Sequence, residues 1–314
     1  MKENNYPLFS IIIPTYNRSK LLISALKSCL AQTFSSFEVI IVDDCSTDDT
    51  EKIVKDFIKL DNRIRYFKMS SNRGVAAARN FGIQKARGLF ITFLDDDDEL
   101  APDYLEEINK LNLKPNEIFI VMVAEFRCLR ILNLNVRKYF NPRLSLRKWE
   151  VAIGNSCTVS KKIFTDLNIW FDEKLSVAED IDTGIRAMQL GVPIIFIDKP
   201  IFYRYLNLHW KNKSLSTSRR IEVYQNYKIF YEKNYKFFEE NGKEALAFLN
   251  YSMGIAAAKG GLISEAKKYF FKAFHFSKKP RYFICWIMSF FGRRIFSLFY
   301  ILSYRFMFLI RLIK

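Results

Sequence analysis

Within its first hundred residues the chain switches repeatedly between two hydrophobic periods, and this switching limits the possible folds more than any other feature. Residues 9–14, FSIIIP, form an unbroken apolar run of the kind found in strands covered on both faces. Leu21, Leu22, Ala25, Leu26 and Cys29 then recur at helical spacing, with Ser19 placed to cap the helix. Residues 38–44 return to strand character. After Ser46 and Asp49, a near capping-box spacing, Ile53, Val54, Phe57 and Ile58 return to helical period. Further strands are predicted over 65–68 and 89–94, with a helix over 75–85 between them. Such alternation predicts a doubly wound α/β sheet, in which ligands bind beyond the carboxyl ends of the strands. Three polar or acidic clusters fall at such ends: Thr15 to Arg18, Asp43 with Asp44, and Asp95 to Asp98.

Past this region, residues 118–124 and 194–197 read as strands, and 161–166 and 180–190 as helices, the second stopping at Gly191. Beyond Pro200 the pattern becomes that of amphipathic helices over 219–241, 244–259 and 264–276. The last two are joined by Gly260 and Gly261 and resemble a single tetratricopeptide-type hairpin, read as a packing appendage.

Charge separates the two regions. Residues 1–200 hold 28 Lys and Arg against 27 Asp and Glu, whereas residues 201–314 hold 21 against 6, and no acid follows Glu265. A nucleic-acid binder would carry its basic residues on the α/β half, which is neutral. Basic residues mixed with aromatic and aliphatic ones fit an anionic membrane surface better, and the uncharged pieces of 282–313 fall short of the ~20 residues needed to cross a bilayer. The five cysteines are scattered, which predicts neither a disulfide scaffold nor a zinc site. The polar start of the chain lacks the order of a signal peptide, so a catalytic part kept in a reducing, cytosolic compartment is expected.

Four consecutive aspartates at a strand end repel one another, and a divalent cation with hard oxygen ligands, Mg²⁺ or Mn²⁺, relieves that repulsion. Since such sites leave coordination positions to substrate phosphates, a nucleoside diphosphate is the expected ligand. Asp43 and Asp44 read either as helix-capping residues or as acceptors for a nucleoside; Tyr16 can stack on a base, and Arg79 can meet phosphate or carboxylate with a bidentate fork. Glu179 and Asp180 read either as an acidic first turn favoured by the helix dipole or as a catalytic pair.

The strings SIIIPTYNR, VIIVDDCSTDDT, NRGVAAARNFGIQKARG and FITFLDDDDEL, with FDEKLSVAEDIDTGIRAMQLG further on, resemble the inverting glycosyltransferases of family 2 with the GT-A fold. That resemblance implies a GT-A catalytic domain over 1–216; a helical appendage over 217–280 and a basic, aromatic membrane-interface tail over 281–314 complete the expected organisation. It implies that Pro14, Thr15 and Tyr16 border the base, with Arg18 in the same turn, and that Asp43, with Asp44 beside it, contacts base or ribose. Asn72, Gly74, Arg79 and Asn80 match the run that approaches the nucleotide. Asp95 to Asp97 match the Asp-X-Asp motif, Asp96 toward the ribose and Asp97 with Asp95 toward the metal, the register being ambiguous by one position. Asp180 matches the general base, with Glu179 beside it and Arg186 orienting it. His209 falls in a segment where a histidine can complete the metal site. Mn²⁺ or Mg²⁺ and a nucleoside-diphosphate sugar follow as expected partners; the basic tail, not the resemblance, adds the expectation of a lipid-linked glycan acceptor and of a peripheral protein on the cytoplasmic side of the inner membrane.

Two other classes fit less well. A nucleotidyltransferase would need a Gly-rich, Lys-bearing phosphate loop, which PTYNRSK is not. A membrane-binding protein with an inert transferase domain would not be expected to keep Asp95, Asp97 and Asp180.

Overall fold

A computed structural model of the chain describes residues 6–114, 116–131, 134–140, 151–155, 157–206, 220–292 and 296, with backbone alone at 124–131, 134–140, 205, 206 and 220. Two compact units emerge: Met1–Glu173 with Glu179–Leu208, and Lys174–Ala178 with the chain from His209 onward.

The expected alternation opens the first unit: β1 (Phe9–Thr15), α1 (Ser19–Leu30), β2 (Phe37–Asp43), α2 (Thr50–Leu60), β3 (Ile64–Lys68), α3 (Val75–Lys85) and β4 (Phe90–Phe93). These strands are parallel in the order β3-β2-β1-β4. Their unbroken apolar runs have a direct cause, since both faces are covered. Ile11, Ile13, Val39 and Ile41 face a core shared with Leu22 and Leu26 of α1, while Ile12, Ile40 and Val42 face a second core with Ala76 to Ala78 of α3. Gly82 lets α3 lie close on the sheet, because a Cβ there would stand 2.6 Å from the Ile12 side chain.

Two caps differ from expectation. Ser19 is already helical and its amide donates to Asp48 Oδ2 (3.0 Å), so the carboxylate of the neighbouring loop takes up that orphan donor. Asp48 Oδ1 also accepts the Thr50 amide at 3.1 Å, the role expected of Ser46 and Asp49.

The rest of the unit makes the sheet mixed rather than purely doubly wound. It adds β5 (Glu99–Leu100), α4 (Tyr104–Asn109), β6 (Ile120–Ile131), β7 (Leu134–Phe140), β8 (Cys157–Ser160), α5 (Lys162–Thr165), α6 (Glu179–Gln189) and β9 (Ile194–Leu206). β8 runs antiparallel between β4 and β6, β6 pairs parallel with β9, β9 antiparallel with β5, and β7 folds back on β6. β6 and β9 are longer than the runs 118–124 and 194–197. Their register shifts beside Ala124, where Val123 pairs Ile197 and Ala124 pairs Pro200, so Asp198 and Lys199 bulge out and break the apolar pattern without ending the strand.

The second unit contains α7 (Arg220–Glu240), α8 (Lys243–Gly260), α9 (Ile263–Phe276) and α10 (Pro280–Ser289). The turn after α8 is a Schellman-type cap: Gly261 stands at φ 85°, its amide donates to Ala258 O (3.1 Å), and the Leu262 amide donates to Ala257 O (2.9 Å). A Cβ on Gly254 would meet the Phe270 ring at 2.5 Å, so glycine sets the approach of α8 to α9. Among the described residues no helix is long and apolar enough to cross a membrane.

α6 is held against residues 151–153 by its backbone. The Ile153 amide donates to Asp180 O (3.0 Å), and a Cβ on Gly184 would stand 2.1 Å from Val151 O. Gly184→Ala should therefore lower stability by at least about 1–3 kcal/mol, read from the denaturant midpoint of unfolding.

Candidate active site

The carboxyl ends of β1, β2 and β4 meet at one edge of the sheet, and most of the chain's singled-out side chains lie there. After β4 the chain turns sharply, the Asp98 amide donating to Asp95 O at 3.1 Å. The turn brings carboxylate oxygens of Asp95, Asp97 and Asp98 within 4.8 Å of one another. Three hard oxygens this close fit Mg²⁺ or Mn²⁺. Two members of the expected metal set, Asp95 and Asp97, lie in this group. Asp98 joins the two aspartates because the turn folds it back, and His209 lies outside the described residues.

Asp96 points away from that group. It accepts hydrogen bonds from Thr15 Oγ1 (2.7 Å) and Arg18 Nη1 (2.9 Å), and only 3% of its surface is exposed. Burial pushes its carboxyl up to about 6, against the pull of Arg18 and Thr15. Within the protein, Asp96 ties the end of β1 to the acidic turn. Arg18 also reaches Asp97 (3.3 Å), partly neutralising the cluster.

Asp43 and Asp44 are likewise engaged within the protein. Asp43 is fully buried; Oδ1 accepts the Ser46 amide (2.7 Å) and Oδ2 the Tyr66 hydroxyl (2.5 Å). Asp44 accepts the amides of Arg73 and Gly74, both at 2.7 Å. Burial raises its carboxyl, although these two bonds pull against it. Gly74 stands at φ 87°, a backbone shape that favours glycine, so the Asp44 bond and the glycine together set the entry to α3. Both aspartates brace loops around the expected nucleoside region. Tyr16 is 42% exposed and Asn72 is exposed, whereas Pro14 is buried in β1.

Arg79 binds the halves of the site together. With 5% of its side chain exposed, it meets Glu179 Oε1 through Nη1 (2.7 Å) and Asp95 Oδ1 through Nη2 (3.0 Å). Phe171 and Phe93 lie 5.4 and 5.9 Å from its guanidinium, and Nε has no hydrogen-bond partner among the described residues. Burial acts to lower its pKa, but Asp95, Glu179 and Asp180 outweigh it and hold the arginine firmly charged. Its carboxylate-facing fork was expected; its burial was not. Asn80, the next residue, pins residues 171–173: its amide group donates to Phe171 O (3.0 Å) and Glu173 Oε1 (3.1 Å) and accepts the Phe171 amide.

Glu179 and Asp180 start α6. Burial, then the neighbouring Asp180 charge, raises the Glu179 carboxyl despite Arg79. Asp180 is half-exposed, and its Oδ1 accepts the Ile181 amide at 2.8 Å. Arg186 does not orient it. One turn beyond Asp182, Arg186 bonds that residue (2.9 Å) and Trp170 O (2.6 Å), because the i,i+4 partner faces it and Asp180 does not.

Two site residues escaped sequence reading. Asn155 Oδ1 accepts the Asp95 amide (3.0 Å) while its amide group donates to Asp98, so one side chain braces both ends of the acidic turn. Gly154 faces Asp180, where a Cβ would sit 3.0 Å from the Asp180 Cβ. Neither has a sequence signal, since both sit in a stretch without periodicity.

A mixed sheet with a parallel half and carboxylates at its strand ends is a GT-A-like architecture. Residues 10–162 match the profile of glycosyl transferase family 2. The putative colanic acid biosynthesis glycosyl transferase WcaA of Escherichia coli is 30% identical over 81% of this chain and 90% of its own length. The GalNAc(5)-diNAcBac-PP-undecaprenol beta-1,3-glucosyltransferase of Campylobacter jejuni is 46% identical over 50% of this chain and 47% of its own. The chain spans only 18–41% of the length of several other bacterial relatives it matches. The mannosyltransferase PcManGT from Pyrobaculum calidifontis, solved with GDP-Man and Mn²⁺, superposes with a TM-score of 0.59 at 17% identity over 94% of this chain and 87% of that one, a likeness of fold. The chain belongs to glycosyl transferase family 2.

Two outcomes follow from the buried bridge. Arg79→Met leaves two carboxylates without their shared cation and should cost about 3–5 kcal/mol in chemical unfolding. Because the Glu179 carboxyl titrates above its ordinary 4.5 in the folded protein, the native state holds the proton more tightly than the unfolded chain. Stability of metal-free protein should therefore fall as pH rises from about 4.5 toward neutrality, and fall less in Glu179→Gln, as followed by thermal unfolding across that range.

Proposed function

We propose that the protein is an inverting glycosyltransferase that moves a hexose or N-acetylhexosamine from a nucleoside-diphosphate sugar, UDP-linked in this reading, to a hydroxyl of a membrane-borne glycan. The reading rests above all on the Asp95–Arg79–Glu179 bridge, which joins a carboxylate trio suited to a divalent cation with the carboxylate pair that opens α6. The names of the relatives support the acceptor class: one acts on an undecaprenyl-diphosphate-linked glycan and another belongs to colanic acid biosynthesis. A lipid-linked oligosaccharide, or a lipopolysaccharide or capsule precursor, is the corresponding acceptor here. The protein would then work peripherally at the cytoplasmic face of the inner membrane, with the basic residues of 281–314 against anionic lipid.

Mn²⁺ or Mg²⁺ bound by Asp95, Asp97 and Asp98 would supply positive charge against the departing diphosphate. The chain's own residues carry the rest. Asp180, its Oδ1 held by the Ile181 amide, takes the proton of the acceptor hydroxyl as that oxygen bonds to the anomeric carbon. The bond from that carbon to the diphosphate oxygen breaks on the opposite side, and its electron pair leaves with the diphosphate. Glu179, bound to Arg79, keeps Asp180 at the start of α6, and Arg18 and Arg79 offset the charge of the aspartate turn. Exposed Tyr16 offers a ring for the base.

Purified protein with Mn²⁺ and a panel of UDP-, GDP- and dTDP-sugars should release nucleotide from one donor. Asp97→Ala should abolish that release, and transfer to an acceptor should fall about 10²–10⁴-fold in Asp180→Asn. Silence across the panel, without metal-dependent nucleotide binding, would defeat the reading.

A further inference from the structure

α10 is apolar on both of its sides. Tyr282, Cys285 and Ser289 turn inward against α8 and α9, yet the outward positions hold Phe283, Ile284, Ile287 and Phe290, each 37–55% exposed, with Phe291 following at 59%. In water an outward helical face is ordinarily polar. Nor are these residues isolated. Aromatic rings run from Phe274 to Phe283 (5.2 Å), Trp286 (5.9 Å) and Phe290 (5.5 Å), and Phe271 of α9 joins at Trp286 (5.5 Å). A continuous exposed apolar strip of this kind marks a contact surface.

Charge narrows what can cover it. Lys267 lies over the Phe290 ring at 4.2 Å and Lys278 over Phe274 at 4.8 Å, with exposed Lys272 and Arg281 on the same two helices. The acid carried by α9, Glu265, is bridged to Lys268, and on α8 Glu244 is bridged to Lys279. A second copy would bring the same cations, and residues 293–314 hold four arginines and a lysine with no acid, so both occupants are disfavoured by like charge. An anionic lipid surface matches both parts: acyl chains for the rings, headgroup phosphates for the lysines.

We propose that the outer face of α9 and α10 is the surface through which the protein binds an anionic phospholipid bilayer, lying in its interface with the rings inward and the lysines at headgroup level. The proposal takes its purpose from the membrane-borne acceptor reading, but it stands on lipid binding alone. The full chain should sediment with vesicles of phosphatidylglycerol and phosphatidylethanolamine, weakly with phosphatidylcholine alone, and less as salt rises. The triple variant Phe283→Ser, Ile287→Ser, Phe290→Ser should lose this binding by about tenfold or more. The variant Lys267→Glu, Lys272→Glu, Lys278→Glu, which keeps every ring, should lose it as well. Trp286 emission should shift to the blue on vesicles, a change absent in Trp286→Phe.

Failure of the wild type to sediment, or sedimentation of the serine variant at the wild-type level, would overturn the proposal. So would a lipid-free oligomer that the serine variant converts to monomer, since a second copy would then cover the strip. Nucleotide release from the donor should be the same in the serine variant as in the wild type. A silent donor panel beside intact vesicle binding would sink the transferase reading alone.

Discussion

A guanidinium buried among phenylalanine rings is stable as a cation only where carboxylates meet it, and Arg79 meets two that lie far apart along the chain. Asp95 follows β4, and Glu179 opens α6, a hundred residues after Arg79. Glu179 could not be buried without the arginine, nor the arginine without its two carboxylates. The acidic turn, α3 and the start of α6 therefore share one electrostatic condition, and Asp180 inherits its place from it. Asn80, on the same helix as Arg79, adds a neutral latch to residues 171–173 and keeps Phe171 against the guanidinium.

The four aspartates show how one acidic run can hold separate roles. Alternating directions around a tight turn send Asp96 inward to Thr15 and Arg18, while Asp95, Asp97 and Asp98 gather on the other side. Repulsion within the run is relieved by Arg18, just before α1, by Arg79 of α3 and by Asn155, which donates to the Asp98 carboxylate and accepts the Asp95 amide. The turn is thus largely preorganised by the protein, and the oxygens that a divalent cation would use are held close before any ion arrives.

Features with a strong period were legible in the sequence. β1 and β2 could be read because two cores press on the parallel strands and demand apolar residues through their middles, Ile11 to Ile13 and Val39 to Val42. The acidic turn and the Glu179-Asp180 pair stood out through residue type and place. What stayed hidden depends on partners remote in sequence. Asp43 offers the same letters whether it meets a nucleoside or Tyr66, and its burial belongs to the packing of β3 on β2. Arg186 faces Asp182 for reasons of helix geometry that a motif does not display. The bulge at Asp198 and Lys199 made one long strand look like a short one, and the antiparallel insertion of β8 follows from pairing, not from local pattern.

That insertion has a consequence for how the chain comes into being. β8 lies between β4 and β6 yet is made after both, so the middle of the sheet is filled last among its three central strands. While the chain is being synthesised, β3, β2, β1 and β4 can associate once about a hundred residues have emerged, but the free side of β4, with Phe90 and Phe93, waits for another sixty. An apolar strand edge left open for that interval is a template for pairing with other chains. The nascent chain is therefore most exposed to aggregation between the completion of β4 and the arrival of Cys157 to Ser160.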